Sequence, residues 1–117
     1  MTYMIFAIDF DGTIVEHDFP RVGAPNLEMM KFIKELKKQG HTWILNTMRE
    51  GEYLKYALSF MAMYDLLPDY VNDNTDELKE AFGNNPRKVF AHVYIDDRNA
   101  GGLVIPWHLL ERTEEQG

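Results

Sequence analysis

Residues 3 to 8, Tyr-Met-Ile-Phe-Ala-Ile, form an unbroken apolar run that stops abruptly at Asp9. A run without polar alternation suits a strand buried on both faces, as in a parallel sheet covered by helices. Residues 42 to 46 repeat the pattern and end just before Thr47, and residues 91 to 95 repeat it up to Asp96-Asp97. Tyr70-Val71, after Pro68, reads as a short further strand. Between these runs the apolar period becomes helical. Asn26 is placed to cap one helix, with Leu27, Met30, Ile33 and Leu36 as its inner face and Gly40 as its stop. Glu50 to Tyr64 predicts a second helix, facing inward through Leu54, Ala57, Leu58 and Met61. Asn74 followed by Glu77 resembles a capping box for a short helix ending at Gly83, and a terminal helix is expected from about Trp107. Residues 10 to 25, with Gly12, Pro20, Gly23 and Pro25, read as an irregular excursion.

Alternating strands and helices predict an α/β fold with a central, mostly parallel sheet. The 117 residues suffice for one domain, residues 1 to 117. In such sheets ligands bind beyond the carboxyl ends of the strands. Those ends carry Asp9, Thr47 and Asp96-Asp97. Three separate strands thus deliver polar groups to one edge, and that convergence marks a site.

Composition narrows the classes. With 45% hydrophobic and 26% charged residues the chain is an ordinary globular one. No apolar run approaches the roughly 18 to 20 residues that span a bilayer, and the first residues have no basic stretch of a secretory signal. The absence of cysteine excludes a disulfide framework and a thiolate metal site. A cytoplasmic location is the default expectation. The formal charge of -7, from 19 acidic and 12 basic residues, disfavours nucleic acid as a partner.

The chemistry centres on Asp9-Phe10-Asp11-Gly12-Thr13. Two acids at a strand end, with a glycine that lets the chain turn behind them, crowd negative charge into a small volume. A hard cation with oxygen ligands, magnesium above all, relieves that crowding. Asp96-Asp97 poses the same problem at another strand end and would complete the oxygen shell. Thr47 can give its hydroxyl to a phosphate oxygen at a helix start, and Lys88 can offset the acids and hold a transferring group. Taken singly, each has a plainer reading: a turn dipeptide, a solvated loop, a helix cap, a surface lysine. Together they make a set.

Residues 9 to 15, Asp-Phe-Asp-Gly-Thr-Ile-Val, resemble the first signature of the haloacid dehalogenase superfamily in its phosphatase form. Trp43 to Arg49 is similar to the second signature, an apolar stretch ending in Thr or Ser. Lys88 stands where small members place the lysine of the third, and Tyr94-Ile95-Asp96-Asp97 resembles the fourth. Ile95 to Asn99 with Gly101-Gly102, and Arg49-Glu50-Gly51, resemble small capless members. The resemblance implies a three-layer Rossmann-like fold without a cap domain. It implies a hydrolase in which Asp9 attacks phosphorus to form an aspartyl-phosphate and Asp11 serves as acid and then base. Magnesium would be held by the Asp9 carboxylate, the Asp11 backbone carbonyl and Asp96, with Asp97 a direct or outer ligand. Thr47 and Lys88 would bind the phosphoryl oxygens.

Predicted core elements consume the chain between the motifs and leave no room for an inserted cap. The open site would admit a phosphorylated substrate, bulky ones included, or be closed by a neighbouring subunit in a homo-oligomer. The loop from Glu16 to Gly23 is the local candidate for a partial lid. Arg21, Arg49 and Arg98 are candidate contacts to an anionic substrate, with salt bridging inside the fold an equal expectation. The histidines lack metal-ligand spacing. A phosphotransferase would use the same residues. A phospho-accepting receiver domain would place its acidic pair after the first strand and its acceptor after a central one, an order this chain does not follow. A catalytically silent binding module would keep the same fold.

Overall fold

The computed structural model describes residues 3–83, 89–98 and 102–111. Four strands make one sheet in the order β3-β2-β1-β4: β1 is Ile5–Ile8, β2 Thr42–Leu45, β3 Tyr70–Val71 and β4 Val93–Ile95. Every pairing is parallel. The connections run through α1 (Leu27–Lys38), α2 (Gly51–Met63) and α3 (Asp76–Phe82). This is the expected α/β architecture, a Rossmann-like fold. As its apolar run requires, β1 is central, and Phe6, Ala7 and Ile8 are buried.

The register puts the strand ends level. Ile8 pairs with Leu45 on one side and Ile95 on the other. The next residues continue the ladder: the Asp9 amide donates to the Ile95 carbonyl at 3.0 Å, and Asn46 to Ile8 at 2.9 Å. Two histidines tie in the opposite end of β1. His41 Nδ1 accepts from the Met4 amide at 3.0 Å, and His92 Nδ1 from the Ile5 amide at 2.8 Å.

Helix α1 starts where Asn26 Oδ1 accepts from the Met29 amide, satisfying one of the amides a helix start leaves open. Its inner face is Met29, Met30, Phe32, Ile33 and Leu36. Leu27 is not part of it. As the first helical residue it precedes the turn that packs, and it is 65% exposed. Phe32 bridges two aromatic contacts, to Phe6 at 5.7 Å and to Trp107 at 5.3 Å between centroids. Burying the Phe6 and Phe32 rings, both fully enclosed, is worth about 1.5–3 kcal/mol each.

Helix α2 has the expected extent, with Glu50 and Tyr64 as its caps; Ala57 and Met61 are fully buried while Leu54 and Leu58 are partly so. The cap of α3 is Thr75, not Asn74: the Thr75 hydroxyl accepts from Leu78 N. Asn74 is buried and turned the other way, its Oδ1 accepting from the Phe90 amide at 2.7 Å. A capping box at Asn74 is thus displaced by a tertiary bond that local spacing does not encode. Only a 3-10 turn, Trp107–Leu109, stands where a terminal helix is expected, and residues beyond 111 lie outside the described part.

The excursion after β1 has more order than its glycines and prolines suggest. The Phe10 carbonyl accepts from the amides of Thr13, Ile14 and Val15, and Gly12 N donates to Val15 O at 2.8 Å. This tight turn returns Ile14 and Val15 to the core, and Val15 bridges to both Asp11 and Pro25. It also leaves Asp11 at the mouth of the sheet.

Candidate functional site

A cleft of about 390 Å³ opens at the carboxyl edge of the sheet, lined in part by Asp9, Asp11, Thr47, Asp97 and Arg98. The two aspartates of the first motif and Asp97 thus share one cleft; Asp96 does not line it, although it directly follows β4 at the same edge. Asp9 and Asp96 follow adjacent, level strands. Asp97 lies against Gly12. Gly12 has φ +83°, and a Cβ added there would come within 2.9 Å of the Asp97 carboxyl carbon. Only glycine lets the turn carry this approach.

The electrostatics follow from burial first and from crowding second. The Asp9 carboxyl is pushed up from 3.8 to about 6, chiefly by burial, and further by the charges of Asp96, Asp97 and Asp11; a backbone hydrogen bond opposes the rise. Asp96 goes the other way. Its oxygens accept from the Arg98 amide at 2.6 Å and the guanidinium at 2.8 Å, and these bonds hold its carboxyl below the usual range. Arg98 is therefore an ion-pair partner of Asp96, and its own side chain is exposed. Arg21 is likewise taken, by Asp18 at 3.2 Å on the outer loop.

Arg49 is no surface group. It is 2% exposed and forms a two-pronged pair with Asp11, Nε to Oδ2 and Nη2 to Oδ1, both 2.7 Å. Of the two expectations for Arg49, substrate contact or salt bridging inside the fold, the structure has the second. Each Asp11 oxygen keeps a second lone pair for other work.

Thr47 lines the cleft but does not cap α2, whose N-cap is Glu50. The Thr47 hydroxyl accepts from the Arg49 amide at 3.1 Å, a local turn that leaves its O–H to donate. The Thr47 amide is held by Asn72 Oδ1 at 2.8 Å, and Asn72 N donates to Leu45 O. Asn72 has φ +50°, a conformation asparagine tolerates better than most residues. Sequence reading passes over it; the visible signal was an asparagine directly after a short strand. Lys88 lies outside the described residues.

As they stand, no three His, Asp or Glu side chains among the described residues are grouped to hold a metal ion. Asp96 is turned to Arg98 and Asp11 to Arg49. The donors nonetheless fit a hard cation in kind. All are oxygens, and Asp9 sits where its own negative charge is disfavoured by burial first and by three neighbouring acids besides. To complete such a shell Asp96 would exchange Arg98 for the ion, an exposed pair of the kind worth about 0–1 kcal/mol.

Fold and edge define a Rossmann-like α/β domain with an acidic cleft at the carboxyl ends of parallel strands. No protein-family model matches the chain, and no curated protein matches it. Among solved structures it is similar to a conserved protein from Bacteroides thetaiotaomicron, at 37% identity over 92% of this chain and 86% of that one, with a TM-score of 0.78. At that identity and coverage the chain belongs to the same family as this conserved protein.

Proposed function

We propose that this protein is a magnesium-dependent phosphohydrolase of the haloacid dehalogenase type, acting on phosphomonoesters through Asp9. The observation that carries the reading is the level meeting of β1 and β4. It sets Asp9 beside Asp96-Asp97 and, through the turn at Gly12, beside an Asp11 fixed by Arg49. The order of the motifs along the chain supports it independently.

In this reading an Asp9 carboxylate oxygen bonds to phosphorus as the ester P–O bond breaks. Asp11 gives its proton to the departing oxygen. A water oxygen then bonds to phosphorus and loses its proton to Asp11, and the bond between phosphorus and Asp9 breaks, releasing phosphate and restoring both residues. The Thr47 hydroxyl, which accepts from the Arg49 amide on a main chain held by Asn72, donates to a phosphoryl oxygen, and Lys88 is the second candidate for that task. Asp9, Asp96 and the Asp11 main-chain carbonyl would hold the magnesium ion, with Asp97 beside them. When bound, the ion neutralises charge on the carboxylates and on the phosphoryl group.

The rim of the cleft includes the exposed side chains of Met48 and Phe19, so a substrate much larger than its phosphate can project outward. A screen of varied phosphoesters, with magnesium and with a chelator, tests the proposal. Turnover should need the metal and fall by about a thousandfold or more in Asp9→Asn. Activity that survives Asp9→Asn would remove the nucleophile.

A further inference from the structure

All five N–H groups of Arg49 are used. Beyond the two bonds to Asp11, Nη2 donates to the Arg21 carbonyl at 2.7 Å. Nη1 donates to the carbonyls of Pro20 at 3.2 Å and Tyr53 at 3.0 Å. The guanidinium carbon lies 5.1 Å from the ring centroids of both Phe10 and Phe19. One buried side chain therefore joins the motif turn, the loop over the cleft and the first turn of α2.

The loop has few other anchors. Its base is closed by the Glu16 amide donating to Ala24 O at 2.8 Å, and its tip by Arg21 N to Asp18 O at 3.0 Å. Phe19 packs on Tyr53 at 5.3 Å and is half exposed. Residues 19 to 21 are otherwise seated by Arg49. If they lift, two donors of a buried cation lose their acceptors, and the guanidinium no longer has a fixed plane to present to Asp11.

We propose that Arg49 is a positioning residue that couples the seating of residues 19 to 21 to the orientation of Asp11, so that the loop and the acid/base group move as one unit. The coupling rests on geometry alone; its effect on turnover rests on the role proposed above for Asp11. A substrate body that packs against Phe19 would hold Asp11 in place. A group that lifts the loop would release it. Such coupling is reciprocal, so loosening Asp11 must loosen the loop equally.

Amide hydrogen exchange of the full, metal-free chain tests the structural half. Asp11→Asn and Arg49→Lys should each speed exchange of the Glu16 and Arg21 amides by about tenfold, with the Ala7 and Ile8 amides of β1 unchanged. Unchanged exchange in a folded Asp11→Asn variant overturns the coupling. Phe19→Ala, altered at a half-exposed position, guards against a variant that fails to fold: it should speed exchange at Arg21 and at the Gly12 amide, and no change at Gly12 overturns the proposal. For turnover, the Phe19→Ala defect should grow with the basicity of the leaving oxygen, since Asp11 serves the poor leaving groups. A uniform fall across that series would make Phe19 an ordinary substrate contact. Should the wild-type chain hydrolyse no ester, the proposed function falls while the exchange experiment still decides the coupling.

Discussion

Asp9 is folded at a cost to its own charge. Its carboxyl titrates at about 6 rather than 3.8, so the native state binds its proton more tightly than the unfolded chain does. Its favourable contribution is whole below about pH 4 and is lost as pH rises through about 6. In chelator at pH 8, Asp9→Asn should therefore stabilise the fold by about 1–2 kcal/mol, allowing for solvent screening of a half-buried group, and by nothing at pH 3.5. Chemical denaturation at the two pH values reads this directly, and equal stability of the two proteins at pH 8 would contradict it. Gly12 makes the opposite case, a residue the site needs and stability tolerates badly when changed. Its φ of +83° strains any residue with a Cβ, and a methyl there would have to push the Asp97 carboxylate aside. Gly12→Ala should cost about 1–3 kcal/mol and about a hundredfold in kcat/KM, measured by thermal melting and steady-state kinetics. A fully active, equally stable Gly12→Ala protein would contradict the assigned geometry.

Among the elements, β1 is held at both ends by different chemistry: carboxylates at its exit, histidines at its entry. The apolar run of residues 3 to 8 made this strand legible. What the run does not reveal is that His41 and His92 accept from the first amides through Nδ1, which requires that nitrogen unprotonated. Burial lowers the His41 value below 6.5, with Glu111 opposing. The imidazole thus favours the fold while neutral, and its contribution is present above about pH 6.5 and lost as pH falls below it. Thermal melting from pH 8 to 5 should show a steeper loss for the wild-type chain than for His41→Gln, which carries no titrating ring; parallel curves would dismiss the role. The helices were legible to within a residue or two where a cap was local, as at Asn26 and Gly83. Asn74 misled because its partner, the Phe90 amide, is sixteen residues away and outcompetes a local cap.

For the whole molecule, no helix among the described residues is long and apolar enough to cross a membrane. The net charge of -7 and an edge with four aspartates set a field that repels anions at a distance. If the substrate is a dianionic phosphoester, kcat/KM at saturating magnesium should rise about two- to fivefold between roughly 10 and 150 mM monovalent salt, as screening shortens the reach of that field. A steep fall would mean that local cations govern capture instead.

The sequence by itself determined the architecture and which polar residues end the strands, because both are carried by short-range signals. Unbroken apolar runs specify buried parallel strands, and residues that end such runs fall at one edge whatever the details of packing. Thus Asp9, Asp11, Thr47, Asp96 and Asp97 were all legible as edge residues. Only the tertiary structure decided which partners the polar groups take. Arg49 reads on paper as either a substrate contact or an internal ion pair; folded, it is enclosed by Asp11, two rings and three carbonyls from two separate segments. Asn72, Asn74, His41 and His92 likewise take their partners from distant parts of the chain. Hydrogen-bond partnership depends on which groups the fold brings within about 3 Å, and no local pattern of residues encodes that distance.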